Sequence, residues 1–165
     1  MSNLSGFVKR VRDVMRNDAG INGDAQRIEQ IAWMLFLKVY DAKEEDWEFD
    51  DEKYESIIPE NLRWRNWAHT ENQNDGLTGD QLLNFVNNDL FSTLKKLEIN
   101  PSTPIRQSIV RTTFEDANNY MKDGVLLRQV INVIDELDLS DYEESHAFGE
   151  IYESILRELQ SAGSS

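Results

Sequence analysis

The sequence contains no cysteine among its 165 residues. This absence excludes disulfide bonds, thiolate metal ligands and cysteine nucleophiles, and it is typical of a reducing compartment. Long apolar runs are also missing, since the longest, residues 31–40, already contains Lys38 and is half as long as the roughly 20 residues that cross a bilayer. Residues 1–6 lack the apolar core of a secretory signal. We therefore expect a soluble, cytoplasmic protein with no membrane partner.

The motifs that usually carry catalysis or cofactor binding are absent as well. The eight glycines form neither GxGxxG nor GxxxxGK, no serine lies in GxSxG, and His69 and His146 lie in no HExxH pattern. A calcium loop built around Asp75 and Gly76 would need a carboxylate where the chain has Leu82. We expect no catalytic, cofactor-binding or metal-binding residue in this chain.

Positive charge is scarce overall, and the imbalance is local. The chain has 17 Lys and Arg against 31 Asp and Glu, a net charge of −14. This charge argues against a protein that coats nucleic acid on its own, because the phosphates would repel it. Residues 1–40 carry six bases and four acids, residues 41–60 carry ten acids and two bases, and residues 135–150 carry seven acids and no base. The two acidic segments are interpreted as solvated connections between helices, or alternatively as surfaces that face a basic partner.

Apolar residues recur with helical spacing along most of the chain, which predicts a compact all-α domain of about six or seven helices. Residues 4–15 place their apolar side chains on one helix face. Residues 28–40 are apolar almost all round, so this helix should be the most buried element. Further helices are expected at residues 116–121 and 148–159, and a helical break is expected near Thr112.

Several helix starts are marked by capping residues. Asp24 and Asp123 each precede an apolar helical pattern and are expected N-caps. Thr78 and Gln81 form a capping-box pair before another helix. By contrast, residues 46–76 follow no single period, and we expect an irregular, aromatic-anchored segment with room for a short β-hairpin near residues 47–58.

One cationic feature lies on the first predicted helix. Lys9, Arg12 and Arg16 are spaced three and four residues apart, opposite the apolar side, where they are suited to contact DNA phosphates. The alternative is a solvated outer face on which Asp13 is near enough to pair with Lys9.

A second cationic feature interleaves Arg63 and Arg65 with Trp64 and Trp67. Such a pattern suits stacking on bases or contact with another subunit. The alternative is that the tryptophans anchor the core while the arginine stems pack over them.

Four stretches, taken in order, resemble the N-terminal helical domain of the modification (M) subunit of type I restriction–modification DNA methyltransferases. The first, residues 23–41 (GDAQRIEQIAWMLFLKVYD), resembles the second helix of that domain. The others are LRWRNWA at 62–68, the 114–134 segment containing MKDG, and FGEIYE at 148–153. These are packing residues, so their joint order carries the resemblance.

The resemblance implies a parent enzyme that transfers a methyl group to N6 of adenine in DNA. Its S-adenosylmethionine site and catalytic motif would lie in a Rossmann-like domain that is not in this chain. Residues 1–160 would form the non-catalytic N-terminal domain, and residues 161–165 would begin a linker. The implied partners are DNA, a specificity subunit, a second M subunit and a motor-nuclease subunit, and the domain would help the complex close around DNA.

A different class of function remains open from the residues alone. A free-standing acidic helical adaptor would bind a basic protein, and that binding would be sensitive to salt. The native sequence beyond Ser165 separates the two hypotheses, because only an M subunit would continue with cofactor glycines and a Pro-Pro dipeptide.

Overall fold

The protein, for which we obtained a computed structural model, folds as an all-α domain; the structure describes residues 4–72, 76–139, 153, 156–157 and 160–161. This confirms the predicted fold class, and residues 4–72 and 76–139 contain no β-strand. A 3₁₀ turn, Glu60–Leu62, precedes α3, and a π-helical segment, Phe85–Leu90, joins α4 to α5. The helices are α1 (Leu4–Met15), α2 (Gly23–Asp50), α3 (Trp64–Trp67), α4 (Gly79–Asn84), α5 (Phe91–Lys95), α6 (Ile105–Glu115) and α7 (Gly124–Asp135).

Helix α2 forms the centre of the core, as its sequence predicts. Nearly every apolar side chain from Ile31 to Tyr40 is buried, because other elements cover the helix on several sides. Trp33 meets Phe91 and Phe114 edge to face, with ring centroids 4.9 and 6.4 Å apart. These contacts tie α5 and α6 to the middle of α2.

Helix α7 is the second organising element, and α1, α2 and α4 all pack against it. Its start crosses the start of α4 so closely that a Cβ atom on Gly124 would lie 1.9 Å from the carbonyl oxygen of Gly79. Gly79 itself has a φ of +60°, a conformation that other residues adopt at a cost. The crossing therefore depends on glycine at both positions.

The expected β-hairpin near residues 47–58 is wrong. Helix α2 continues through Trp47 to Asp50, and residues 51–58 are irregular, with a turn at 52–53 and a bend at 57–58. Two of the aromatic residues that interrupt the helical periodicity, Trp47 and Tyr54, contact a residue that is distant in sequence. The Arg106 guanidinium lies 4.8 Å from the Trp47 ring centroid and 5.4 Å from that of Tyr54. A contact with α6 thus replaces the strand pairing that the pattern had suggested.

The helix expected at residues 116–121 is also wrong. Side chains from elsewhere bind the backbone there: Gln30 accepts a hydrogen bond from the Tyr120 amide at 2.7 Å, and Asp18 accepts from the amides of Lys122 and Asp123 at 3.0 Å each. These bonds hold an irregular loop, because they take amides that a helix would have used internally. The break expected near Thr112 is wrong too, since α6 continues to Glu115.

The predicted helix ends are confirmed in part. The Asp123 carboxylate accepts hydrogen bonds from the second and third amides of α7, as predicted. Thr78 occupies the N-cap position of α4, but its side chain makes no capping bond. Asn22, rather than Asp24, is the N-cap of α2. Most of the helix expected at 148–159 lies outside the described residues, as do residues 162–165, whereas Ser161 is helical.

Candidate functional site

Helix α1 presents a basic outer face because its buried apolar residues lie on the opposite side. Phe7, Val8, Val11 and Met15 are buried against the domain. The three cations predicted to contact DNA lie on the other side, where Lys9 and Arg16 are exposed and Arg12 is half-buried. The helical spacing therefore brings these three side chains onto one surface, here called the α1 basic face (Lys9, Arg12 and Arg16).

Ion pairs hold part of the α1 basic face. Arg12 lies 3.6 Å from Asp24 at the start of α2. The pair expected between Asp13 and Lys9 is not the one formed, since Asp13 lies 3.6 Å from Arg16 instead. Arg12 is half-buried, but the other three side chains are more than half exposed, so solvent screens both contacts and a competing anion could replace the carboxylates. Within the described residues, Lys9 has no ion pair.

The second cationic feature has a different setting. Arg63 is 6% exposed, and its guanidinium contacts three carboxylates, those of Glu44 and Glu60 at 3.4 Å and that of Glu48. Arg65 is bound to Asp41 at 2.8 Å and to Glu48 at 3.2 Å. We call this group of six side chains the Arg63/Arg65 cluster. Its members are Asp41, Glu44, Glu48, Glu60, Arg63 and Arg65.

Burial and the neighbouring guanidinium groups shift the pKa values of the carboxylates in this cluster in opposite directions. Burial raises the pKa of Glu44, even though Tyr54 donates a 2.6 Å hydrogen bond to it and Arg63 lies beside it. Burial alone would also raise the pKa of Glu48, but the two guanidinium groups beside it outweigh burial and lower that pKa. Arg63 and Arg65 therefore compensate carboxylates on α2, and Arg63 has little surface left for a phosphate.

The two neighbouring tryptophans are core anchors. Trp64 is 3% and Trp67 is 6% exposed. The Trp64 indole donates to Asp135 at 2.8 Å, and the Trp67 indole donates to the Leu62 carbonyl at 2.9 Å. Their rings are consequently covered by the rest of the domain, as expected for tryptophans that anchor the core.

The remaining sequence candidates form no reactive group of side chains where the structure describes them. His69 contacts Asp135 at 2.7 Å, whereas His146 lies outside the described residues. Over those residues, no three His, Cys, Asp or Glu side chains are grouped so that they could hold a metal ion. No described helix is both long and apolar enough to cross a membrane.

Sequence reasoning missed how α2 separates opposite charges. Arg12 contacts Asp24 at its start, while the carboxylates of the Arg63/Arg65 cluster and the acidic residues up to Asp50 lie toward its end. At 1.5 Å per residue, Asp24 and Asp50 are about 39 Å apart along the axis. The sequence did show that residues 1–40 and 41–60 differ in charge. It did not show that a single helix continues past Tyr40 and so places the two charges at its opposite ends. The fold and the charge layout together define an all-α domain whose central helix separates opposite charges.

Comparisons with known proteins give the family. A model of the HsdM N-terminal domain matches residues 4–134. The type I restriction enzyme EcoEI methylase subunit of Escherichia coli is 51% identical over 160 residues, which are 97% of this chain and 32% of that protein. The chain therefore belongs to the HsdM N-terminal domain family and corresponds to the N-terminal domain of a type I restriction–modification M subunit.

Two solved structures share the fold. One is a modification subunit assigned to a type I restriction enzyme of Vibrio vulnificus YJ016, with a TM-score of 0.80, 34% identity, and coverage of 96% of this chain and 35% of that chain. The other comes from work on complex assembly and conformational transition of the type I R-M system, with a TM-score of 0.71, 31% identity, and coverage of 94% and 30%. The chain spans about a third of the length of the relatives it matches.

Proposed function

We propose that this domain is the non-catalytic arm of an adenine-specific (N6) DNA methyltransferase subunit. In this proposal, residues 1–160 help a multisubunit complex close around DNA, and residues 161–165 lead toward the methyltransferase domain. The α1 basic face contacts the phosphate backbone, while other surfaces contact the specificity subunit, a second M subunit and the motor-nuclease subunit. The reading of the DNA sequence belongs to a partner, because phosphate contacts position a protein without reading bases.

The separation of charge along α2 is the observation that carries this proposal. The α1 basic face lies at the start of α2, and the acidic end lies about 39 Å away, several times the screening length of about 8 Å at physiological salt. A chain with a net charge of −14 can therefore bring Lys9, Arg12 and Arg16 to DNA while the carboxylates at the far end of α2 remain at a distance. The nearby carboxylates, Asp13 and Asp24, are each paired with a cation. Binding by the isolated domain should be weak, because only a few phosphates are contacted.

The residues of this chain do not fit S-adenosylmethionine. The sequence has no glycine-rich turn that would cradle the cofactor, and its three prolines, at 59, 101 and 104, form no Pro-Pro dipeptide. In the proposal, the cofactor and the methyl transfer belong to another part of the parent subunit. An adenine must leave the base stack to be methylated, and a surrounding complex would hold the distorted duplex during that step.

Charge reversal on the α1 basic face tests the proposal in the assembled complex. Lys9→Glu combined with Arg16→Glu should weaken duplex binding at least tenfold and reduce the slope of log Kd against log salt by about 2, one for each lost phosphate contact. Arg12 is left in place because its pairing with Asp24 joins α1 to α2. Fluorescence anisotropy with a labelled duplex at several salt concentrations gives both quantities.

A matched control separates local contact from net charge. Lys53 and Lys96 are exposed and lie outside α1, so Lys53→Glu with Lys96→Glu changes the total charge by the same amount. This control should leave the affinity within about twofold and the salt slope unchanged. Equal losses in the two double variants, or no loss in the α1 variant, would refute the α1 basic face as the DNA contact.

A further inference from the structure

Phe49, in the last turn of α2, is the exception among the aromatic side chains. It is 90% exposed, while every other aromatic residue that the structure describes is buried or half-buried. A phenylalanine ring kept in water forgoes the stabilisation that burial would give it. A single exposed apolar residue is ordinary in itself, so its surroundings decide whether it matters.

Those surroundings are acidic and lie on one helix face. Ala42, Glu45 and Asp46 precede Phe49 by seven, four and three residues, so they share its side of α2. All of them are exposed, as is Asp50. We call this surface the Phe49 face (Ala42, Glu45, Asp46, Phe49 and Asp50). Residues 42, 45, 46 and 49 have the i, i+3, i+4, i+7 spacing of one helix face, on which Phe49 is the one large apolar side chain.

The charge on the Phe49 face is unfavourable for the isolated helix. The last turn of α2 contains no basic residue, although a helix C-terminus carries a partial negative charge and prefers cations. Lys43 lies 3.5 Å from Asp46, but within the described residues no ion pair neutralises Glu45 or Asp50. A cationic partner would relieve both the side-chain repulsion and the unfavourable helix end.

The other sides of the C-terminal end of α2 pack against the rest of the domain. Trp47 packs under Arg106 and lies 5.9 Å from the Tyr54 ring, centroid to centroid. Arg63 and Arg65 bind the carboxylates on a third side. The Phe49 face is therefore presented by a rigid helix, and binding would cost little conformational entropy.

We propose that the Phe49 face docks into an apolar pocket rimmed by Lys and Arg on another protein subunit of the complex. Phe49 fills the pocket, and Glu45, Asp46 and Asp50 pair with the basic rim. The negative charge of the Phe49 face favours a basic protein surface as its partner. DNA and an anionic membrane surface are themselves negatively charged, so both would be repelled. The inference rests on the proposed function in one respect, namely that the domain works inside a multisubunit complex.

Site-specific cross-linking tests where the Phe49 face lies. The full-length subunit, with the photoreactive p-benzoylphenylalanine in place of Phe49, is assembled with purified specificity subunit, motor-nuclease subunit and a DNA duplex. Irradiation should give a protein–protein product whose cross-linked peptide, found by mass spectrometry, maps to an apolar site flanked by Lys or Arg. Cross-linking to DNA only, to a second copy of the same subunit only, or to nothing would overturn the proposal.

Affinity measurements supply a second test with a matched control. Phe49→Ala should weaken binding of the cross-linked subunit by about 30-fold, as expected for a central anchor. Ile105→Ala removes another exposed apolar side chain, 86% exposed on α6, and should change affinity less than about twofold. Glu45→Gln with Asp50→Asn should flatten the salt dependence of subunit binding. Equal effects of the Phe49 and Ile105 variants, or an unchanged salt dependence, would contradict the proposal.

The two proposals fail in different ways. If the wild-type subunit does not assemble, both proposals are refuted. If the wild type and the Phe49→Ala variant assemble equally, only the docking proposal is refuted. If assembly depends on Phe49 but Lys9→Glu with Arg16→Glu leaves DNA affinity unchanged, only the DNA-contact proposal is refuted.

Discussion

Replacing Arg63 by methionine probes how the Arg63/Arg65 cluster stabilises the domain. Methionine keeps an unbranched apolar stem, so packing near α2 changes little. The charge, however, is lost beside Glu44, which is fully buried. Removing one partner of a buried ion pair leaves the other uncompensated and typically costs 3–5 kcal/mol. The hydrogen bond from Tyr54 to Glu44 remains, so we expect a loss near the lower end, about 3 kcal/mol at pH 7.5.

The loss should depend on pH in a defined direction. Burial raises the pKa of Glu44 in the folded protein, and removing Arg63 raises it further. A carboxyl group whose folded-state pKa is raised favours the folded state at low pH, and that contribution is lost as pH rises through the folded pKa. Arg63 also helps lower the pKa of Glu48, and the stability gained there is lost as pH falls. As pH falls from 7.5 toward 5, protonation of Glu44 narrows the difference in unfolding free energy between wild type and variant. The Glu48 contribution narrows it further only below the ordinary pKa of a carboxyl group.

Urea unfolding followed by tryptophan fluorescence measures this directly, since all four tryptophans lie in the described part of the chain. A loss of about 3 kcal/mol corresponds to a fall in Tm of about 6–12 °C for a domain of this size. Glu44→Gln added to Arg63→Met should recover more than half of the loss, because no buried charge is then left unpaired. Arg65→Met, at a more exposed guanidinium, should cost about 1 kcal/mol. A loss below 0.5 kcal/mol for Arg63→Met, roughly the scatter of surface substitutions, or one that stays constant between pH 5 and 7.5, would refute the reasoning.

Two further changes test the packing that positions α7. In thermal denaturation, Gly124→Ala should lower the unfolding free energy by about 3 kcal/mol, because the new methyl group would meet the Gly79 carbonyl at 1.9 Å. The control Gly6→Ala, where no atom lies within 4 Å of the new methyl group, should be neutral or slightly stabilising in the same experiment. Asp18→Ala should cost about 3 kcal/mol by chemical denaturation, because three backbone amides lose a buried carboxylate acceptor, and Asp18→Asn, which keeps one acceptor oxygen, should cost less.

Local signals in the sequence were enough for the elements whose causes are local. The apolar run that ends at Tyr40 correctly predicted the central helix, and Asp123 correctly predicted the start of α7. The errors lie where distant residues intervene. Residues 116–121 are not helical, because Gln30 and Asp18 accept hydrogen bonds from the amides of Tyr120 and Lys122. Such bonds between distant residues leave no periodic pattern in the sequence.

The candidate site divides in the same way. The α1 basic face could be predicted because helical spacing alone groups its members. The burial of Arg63 could not, since its partners Glu44 and Glu48 are 19 and 15 residues away and meet it only after α2 and the following turns have packed. Phe49 was likewise unremarkable in sequence, because its exposure depends on α2 extending to Asp50. The π-helical segment at 85–90 lies within a pattern that predicted one ordinary helix.

The uninterrupted length of α2 has one more consequence. A rigid rod with cations near one tip and carboxylates near the other experiences a turning force in the field of a polyanion. Before any atom touches a duplex, the domain should rotate so that α1 leads and the Phe49 face trails. At low ionic strength, where the field reaches tens of ångströms, approach would be oriented in advance, and fewer encounters would begin with the wrong side forward.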